Sequence, residues 1–244
     1  MAEFFNFYTM EKIFALVDER ISNKCRDALT ERGFQVIRLP KIEALPAPIA
    51  SHTDILTCKI RDTLFFSKPY FDSFFDTNSP LNTKNIRLID DVQGATYPLD
   101  AIFNGLVIND KLFCKTESFS KEIINYAVSI GMEIISVKQG YPACTTLKIS
   151  ENGAITADKG MARALRLAGI SVLDIENGGV LLPPYEYGFI GGAAGVFHNE
   201  IYFLGDVQTH PDSDRIIEFI RKENKEPISL SDEPLSDLGG IIFI

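Results

Sequence analysis

One cysteine and one histidine are the strongest candidates for chemistry in this sequence. His52 and Asp54 are separated by a single residue, and Cys144 lies further along the chain. A cysteine thiolate is an effective nucleophile, and a histidine oriented by a carboxylate transfers protons near neutral pH. These residue types predict nucleophilic catalysis by Cys144, with His52 as acid or base and Asp54 as the group that orients it.

A second set of residues has side chains or backbone suited to holding a ligand. Carboxylates and amides bind cations through charge-assisted hydrogen bonds, and glycines let the backbone approach a ligand closely. A lysine six residues before Cys144 favours the thiolate if it turns inward. The predicted ligand-binding residues are Asp100, Asn104, Lys138, Tyr141, Gly191, Gly192 and Asp237.

Each candidate also has a purely structural interpretation. Free cysteines commonly pack as small hydrophobic residues, which is the alternative for Cys144. His52 and Asp54 are equally compatible with capping a turn, and Asp100 and Asp237 precede predicted strands where aspartate often stabilises turns. The sequence leaves both interpretations open.

A repeated hairpin pattern indicates what positions these residues. Four segments read as strand, tight turn and strand, with Asn, Asp or Gly in or beside the turn. The turns centre near residues 62, 110, 152 and 199, which are 48, 42 and 47 residues apart. The four hairpins span 55–67, 105–115, 145–157 and 195–205.

A helix and a third strand follow each hairpin. Apolar residues at helical spacing predict helices over 118–130, 158–168 and 211–224, whereas the Phe-rich, Pro-containing segment 70–82 predicts a loop or a distorted helix. Short β-like runs come next, at 86–90, 133–137, 170–175 and 227–230. The repeating unit is therefore β-β-α-β.

A fifth unit is predicted to join the two ends of the chain. The tail 239–244 supplies one strand, segment 13–32 further structure and a helix, and 33–39 a third strand. Pairing of the first and last segments removes open sheet edges. We therefore predict an α/β fold, a five-bladed β/α propeller in a single domain over 1–244, with the ligand site where the first strands begin. The alternative is a doubly wound α/β sheet.

Composition limits the partners and the location of the protein. The chain has 244 residues, with 24 Lys and Arg against 33 Asp and Glu, a net charge of −9. This acidity argues against nucleic acid and membrane surfaces and favours a small, cationic ligand. Four cysteines without a C-x-x-C spacing and three histidines do not predict a metal site. Residues 1–5 lack the basic start of a signal peptide, and no apolar stretch is long enough to span a membrane, so a cytoplasmic protein is expected.

The residues also carry a family resemblance. The five predicted units, the H-x-D step at 52–54 and the Gly-Gly step at 239–240 resemble the pentein superfamily, the fold of guanidino-group-modifying enzymes. These include arginine and agmatine deiminases, dimethylarginine hydrolases and amidinotransferases, and the superfamily also has a non-catalytic ribosome anti-association factor. Segments IFALVDERI (13–21), YPLDAIFNG (97–105), VKQGYPAC (137–144) and YGFIGGAAG (187–195) are similar to an uncharacterised bacterial branch.

The resemblance implies a reaction mechanism, and this sequence departs from the family pattern that supports it. In the family, a cysteine thiolate attacks the guanidinium carbon, a histidine handles protons, carboxylates hold the cation, and neither metal nor organic cofactor is needed. The family nucleophile lies in the last unit after a Gly-rich step, but here Gly240 is followed by Ile241 and no cysteine. The family's H-x-D step usually lies in the fourth unit, and here it lies in the first.

Two functions follow. The first is a Cys-dependent hydrolase of C–N bonds, or an amidinotransferase, that uses Cys144 in a displaced position. The second is a non-catalytic binding or assembly protein of the same fold. An activated Cys144 is predicted to react with iodoacetamide well below about pH 8 and faster than the other thiols.

Overall fold

The computed structural model describes residues 12–76 and 79–244. The expectation about a signal peptide concerns residues 1–5, which lie outside the described residues. The strands are β1 (Phe14–Asp18), β2 (Gln35–Leu39), β3 (Thr57–Ile60), β4 (Thr63–Ser67), β5 (Ile86–Ile89), β6 (Leu106–Ile108), β7 (Lys111–Cys114), β8 (Glu133–Ser136), β9 (Thr146–Lys148), β10 (Gly153–Thr156), β11 (Ser171–Asp174), β12 (Val180–Leu181), β13 (Ala194–Phe197), β14 (Glu200–Phe203), β15 (Glu226–Ser229), β16 (Leu235–Ser236) and β17 (Ile242–Phe243). The α-helices are α1 (Asn23–Glu31), α2 (Thr53–Leu56), α3 (Lys68–Phe74), α4 (Lys121–Ser129), α5 (Pro142–Thr145), α6 (Lys159–Leu167) and α7 (Ser213–Lys222).

Five three-stranded sheets of identical topology organise the described chain. In each sheet the first strand is antiparallel to the second, and the second is parallel to the third. A parallel pair needs a crossover connection, and helices α1, α3, α4, α6 and α7 provide it. The sheets are β3-β4-β5, β6-β7-β8, β9-β10-β11, β13-β14-β15 and β17-β1-β2. This confirms the β-β-α-β unit and differs from the single parallel sheet of the alternative.

The hairpin turns follow from residues that tolerate left-handed backbone. Arg61, Asn109 and His198 have φ values of 52°, 54° and 53° at three of the four turns. A tight two-residue hairpin requires positive φ, which Asn adopts more readily than most residues. These turns fix the register of each antiparallel pair, as in Ile60 opposite Thr63.

The crossover helices bury one apolar face each. In α6, the Asp158 carboxylate accepts a hydrogen bond of 2.7 Å from the backbone amide of Met161, which caps the helix. Met161 and Leu165 are fully buried and pack with Ala154 of β10. Segment 70–82, predicted as a loop or a distorted helix, contains the end of α3 and a 3₁₀ turn at Pro80–Thr83.

The two ends of the described chain share one sheet. Strand β17 pairs antiparallel with β1, with Ala15 opposite Phe243, and β1 pairs parallel with β2. The predicted fifth unit, built from both ends, is confirmed in this pairing. A sixth, two-stranded sheet joins β12 and β16, with Val180 opposite Leu235, and the repeat pattern did not predict it.

The first strands of the five sheets come together around a narrow channel. A cavity of about 200 Å³ is lined by residues of β3, β6, β9, β13 and β17. A short helical turn precedes four of these strands: α2, α5, and the 3₁₀ turns Leu99–Ala101 and Gly191–Ala193. Within residues 12–76 and 79–244, no helix has the length and apolar character to cross a bilayer.

Candidate functional site

Five of the ten candidate residues line one cavity, whereas Asp54 and Gly191 line the narrow channel. His52 directly precedes α2, and Cys144 lies in α5. Both line a cavity of about 680 Å³ together with Asp100, Tyr141 and Asp237. The 90 positions between Asp54 and Cys144 are thus bridged by the fold.

Cys144 is held by a carboxylate and an amide. Its Sγ donates a hydrogen bond of 2.6 Å to Asp54 Oδ2, and Asn104 Nδ2 lies 3.5 Å from the sulfur. Asn104 Oδ1 also accepts a 2.8 Å hydrogen bond from the amide of Ala143, which fixes the amide group. Burial, together with the negative charge of Asp54, raises the pKa of the Cys144 thiol well above its ordinary value. The unliganded site therefore contains a thiol and not a thiolate.

Asp54 is a carboxylate in an environment that opposes its charge. Burial raises the pKa of Asp54 to about 7, although the charge of His52 acts in the opposite direction. Its Oδ1 is buried and has no hydrogen-bond partner among the described residues. Gly239 has φ +70°, and a Cβ there would lie 2.7 Å from that oxygen and 2.6 Å from His52 Cβ. Only glycine accommodates this backbone so close to the two side chains.

His52 is clamped between two carboxylates. Its Nδ1 lies 3.1 Å from Asp18 Oδ2, and its Nε2 makes a 3.2 Å ion-pair contact with Asp237 Oδ1 that falls short of hydrogen-bond geometry. Burial by itself would lower the pKa of His52, but its interactions with Asp18 and Asp237 outweigh that effect and raise the pKa to about 9. At neutral pH the ring is an imidazolium, which can donate a proton.

Asp18, which the sequence analysis missed, anchors this histidine. It is fully buried at the end of β1 and accepts hydrogen bonds from Arg20 Nε at 2.9 Å and from Ser51 Oγ at 2.7 Å. Burial would raise the pKa of Asp18, but the hydrogen bonds from Arg20 and His52 and the charge of Arg20 hold it well below its usual range. The available signal was an aspartate directly after the apolar run of a buried strand.

Asp237 is fixed by backbone amides. Its Oδ2 accepts a 2.8 Å hydrogen bond from the amide of Phe189, and its Oδ1 accepts one of 3.1 Å from that of Gly239. A Cβ at Gly192 would overlap the Asp237 carboxylate, so this glycine makes room for it. Glycine at 192 therefore serves the site by packing behind a carboxylate, and the structure does not place it on the cavity wall.

Asp100 offers a second buried oxygen. Its Oδ2 accepts a 2.8 Å hydrogen bond from the Tyr141 hydroxyl, whereas its Oδ1 is buried without a hydrogen-bond partner among the described residues. Burial raises the pKa of Asp100, and the hydrogen bond from Tyr141 opposes this. The cavity thus has an unsatisfied acceptor close to the side chains that hold Cys144 and His52.

Several sequence-based assignments change in the structure. Lys138 is exposed and is not among the lining residues, so its solvated ammonium does not supply the predicted cation beside Cys144. Gly191 lines the narrow channel and not the larger cavity, and a Cβ there would overlap the carbonyl oxygen of Ala143. Asp54 hydrogen-bonds Cys144, and the carboxylates in contact with His52 are Asp18 and Asp237.

Aromatic residues form much of the cavity wall, and the sequence analysis did not assign them as a group. Sequence spacing shows where aromatic residues occur but not that they face one space. The aromatic lining residues are Tyr97, Tyr141, Tyr185, Tyr187 and Phe189. Within the described parts of the chain, no group of three or more His, Cys, Asp or Glu side chains is arranged to hold a metal ion.

Comparison with protein families identifies the group to which the chain is related. A model of a family of unknown function, DUF6873, matches residues 16–242. The chain belongs to the DUF6873 family. No curated protein matches the sequence.

Solved structures show the fold of this DUF6873 protein. A mutant of dimethylarginine dimethylaminohydrolase from Pseudomonas aeruginosa, complexed with citrulline, has a TM-score of 0.56 at 9% identity and covers 91% of this chain and 92% of its own. Agmatine deiminase from C. jejuni has a TM-score of 0.53 at 10% identity, with 91% and 87% coverage. Inosamine-phosphate amidinotransferase from Streptomyces griseus has a TM-score of 0.56 at 12% identity, with 91% and 78% coverage. The protein has the pentein fold of the guanidino-group-modifying enzymes, as its sequence resemblance implied.

Proposed function

We propose that this protein is a cysteine-dependent enzyme that cleaves or transfers a C–N bond of a small guanidino or amidino cation. Its five sheets form a closed, five-bladed ring in a single domain, and the reaction takes place in the 680 Å³ cavity. The observation that carries the proposal is the 2.6 Å contact of Asp54 with the thiol of Cys144, a residue that lines this cavity together with His52.

Cation binding is supported by the buried carboxylates. Oδ1 of Asp54 and Oδ1 of Asp100 are both buried and unpartnered among the described residues. An unsatisfied buried acceptor is costly, and a guanidinium presents several N–H donors in a plane that suits carboxylates. Asp100 lines the cavity, whereas Asp54 lines the narrow channel and contacts the cavity residue Cys144, so the guanidinium or amidinium group is proposed to bind at Asp100.

Cation binding also supplies the activation that Cys144 lacks. The pKa of the thiol is raised in the empty cavity by burial and by neighbouring negative charge. A positive ligand beside the sulfur stabilises the thiolate and opposes both effects. Asp54, whose pKa of about 7 leaves it substantially ionised at neutral pH, accepts the thiol proton through the existing hydrogen bond.

The steps then balance as follows. The Cys144 sulfur forms a bond to the central carbon of the cation, and the C–N bond to the leaving amine breaks as His52 donates its proton to that nitrogen. The product is a covalent amidino-thioether, or thiouronium, on Cys144. Water or an acceptor amine next attacks the same carbon and gives up a proton to the now neutral His52, and the C–S bond breaks. Asp54 returns its proton to the Cys144 sulfur, and, when water is the acceptor, the proton that remains on the product passes to the released amine. Water yields a urea, whereas an amine yields a transferred amidino group.

The test is turnover and covalent trapping with purified protein. We expect a panel of guanidino and amidino compounds to contain at least one that releases amine or ammonia, and mass spectrometry of the quenched reaction to show an adduct on Cys144. Cys144→Ala should abolish both signals. Cys25→Ala is a matched control, because both cysteines are 4% exposed but Cys25 does not line the cavity.

Turnover that persists unchanged in Cys144→Ala would remove this mechanism. Ligand binding without turnover or adduct across the panel would instead support a non-catalytic binding protein.

A further inference from the structure

We infer that the ligand of the 680 Å³ cavity lacks a carboxylate group and has an apolar or aromatic body, as in an alkyl- or arylalkylguanidine and not a free amino acid. The inference rests on the proposed function for the identity of the cationic group. It adds the chemistry of the rest of the ligand.

Apart from His52, the charged side chains on the cavity wall are all negative. The lining contains the carboxylates Asp100, Glu186 and Asp237, but no lysine or arginine from the described part of the chain. His52 is the one lining residue that carries positive charge, and both its ring nitrogens already face carboxylates at 3.1 and 3.2 Å. A ligand carboxylate would therefore lose hydration without gaining a free cation, beside like charges.

Arg20 and Lys115 contact lining residues, but both already have partners. Arg20 Nη2 lies 2.6 Å from Asp18 Oδ2, and its Nε donates to the other oxygen of the same carboxylate at 2.9 Å. The Lys115 ammonium lies outside the lining and donates a 2.9 Å hydrogen bond to the Tyr97 hydroxyl. Neither cation belongs to the cavity lining, and the charge of each is already directed to another group.

The apolar part of the wall has the area to cover a ligand body. Five aromatic rings line the cavity, together with the apolar side chains of Pro46, Ile49 and Leu182. Tyr97 and Tyr185 are 50% and 53% exposed, so they present ring surface at the mouth, whereas Asp100 is 2% exposed and lies deep. Aromatic faces attract cations and pack against apolar groups.

The volume of the cavity leaves room for a cationic group and an apolar body. The 680 Å³ exceeds what a guanidinium group fills and lies in the range of about 300–1,000 Å³ typical of sites for drug-sized ligands. The cationic end is expected near the deep carboxylates and the apolar body near the tyrosines.

The experiment measures binding by calorimetry for ligand pairs that differ by one group. Agmatine against L-arginine, and phenethylguanidine against Nα-amidinophenylalanine, differ by a carboxylate. Phenethylguanidine against methylguanidine differs in the apolar body. We expect the carboxylate-free member of each pair to bind about tenfold or more tightly, and phenethylguanidine to bind about tenfold or more tightly than methylguanidine.

Three exposed positions provide variants that leave the catalytic candidates intact. Thr96→Arg adds a cation to the lining and should reduce the preference against carboxylates. Tyr185→Ala should weaken phenethylguanidine several-fold more than methylguanidine. Phe74→Ala is the matched control for Tyr185→Ala, because Phe74 is a 47% exposed aromatic residue outside the cavity.

The outcomes separate this inference from the proposed catalysis. Preferred binding of the carboxylate-free ligands without turnover would support the inference and refute the catalytic function. Equal or tighter binding of L-arginine, with turnover, would overturn the inference and leave the catalytic function intact. Absence of binding by every member of the pairs would overturn the inference, as would a preference that Thr96→Arg does not alter.

Discussion

Replacing Asp54 by Asn should remove a large part of the pH dependence of folding stability. Asp54 has a pKa of about 7 in the folded protein, against 3.8 for an aspartate in an unfolded chain. Between these two pH values the folded protein keeps the Asp54 proton that the unfolded chain has lost. The unfolded state then binds fewer protons, so the free energy of unfolding falls as the pH rises through this window.

The size of the effect follows from the interval between the two values. At about 1.36 kcal/mol for each unit of pH, the interval from 3.8 to about 7 corresponds to a loss of about 4 kcal/mol. This is an upper bound, because local relaxation and water entry reduce the cost of a buried charge. It is still a large share of the roughly 5–15 kcal/mol that stabilises an ordinary protein, and it should be readily measured.

Because of His52, the free energy of unfolding continues to fall at higher pH. Its folded pKa of about 9 exceeds the 6.5 of a histidine in an unfolded chain, so its contribution to stability is present below the lower value and is lost as the pH rises through the upper one. Asp18 acts at the other end, because its lowered pKa gives stability that is lost only in acid, below the 3.8 of an unfolded aspartate. We therefore expect the wild-type protein to be most stable in mildly acidic solution.

The assay is urea denaturation of wild type and Asp54→Asn at about pH 4.5, 5.5, 6.5 and 7.5, extrapolated to water. The stability of the variant relative to wild type should rise by up to about 3 kcal/mol across this range, because the first pH of the series already lies above 3.8. Asp90→Asn, at an exposed carboxylate outside the cavity lining, is the control and should follow wild type. Parallel curves for wild type and Asp54→Asn would refute the view that Asp54 is a buried carboxylate without a resident cation.

Three further outcomes test individual contacts. In the ligand-free protein, iodoacetamide should alkylate Cys144 about 100-fold or more slowly than a thiol in an unstructured peptide at the same pH. This differs from the sequence-based expectation of an activated thiol. Comparable rates would refute the conclusion that the Cys144 thiol is protonated. Gly192→Ala should lower the free energy of unfolding by about 1–3 kcal/mol, because the added methyl group overlaps a buried carboxylate. The control, Gly160→Ala in helix α6, should not destabilise the protein. Equal effects of the two substitutions in urea denaturation would contradict the packing of Gly192 against that carboxylate. Tyr141→Phe removes one hydrogen bond to a cavity carboxylate and should cost about 1–2 kcal/mol by the same assay; an unchanged stability would show that this bond contributes nothing.

Local pattern was sufficient to predict the repeating unit, because each part of it depends on nearby residues. The turns at Asn109 and His198 adopt the positive φ that their sequence contexts suggested. The cap at Asp158 and the apolar face of α6 are readable at helical spacing. The short helical turns before the first strands were not predicted, because a segment of three or four residues has no helical periodicity to detect.

The contacts between side chains within the site could not be predicted from the sequence, for a different reason. The sequence placed Asp54 two residues from His52, which suggested that one orients the other. At the start of α2 the two side chains contact different partners: Asp54 contacts Cys144, and His52 contacts Asp18 and Asp237. Contacts across 34 and 90 positions depend on how the sheets are arranged, which no local pattern encodes.

The charge balance around the sulfur links ligand binding to reactivity. His52 and Arg20 contribute two positive charges, and both are directed to Asp18 or Asp237. Burial and the negative charge of Asp237 raise the pKa of Asp54, although the charge of His52 opposes them. A thiolate formed there without a ligand would add one more uncompensated negative charge, which explains why the thiol keeps its proton. A bound cation supplies positive charge at the atom that the sulfur must attack. The ligand that reacts is therefore also the group that makes Cys144 reactive.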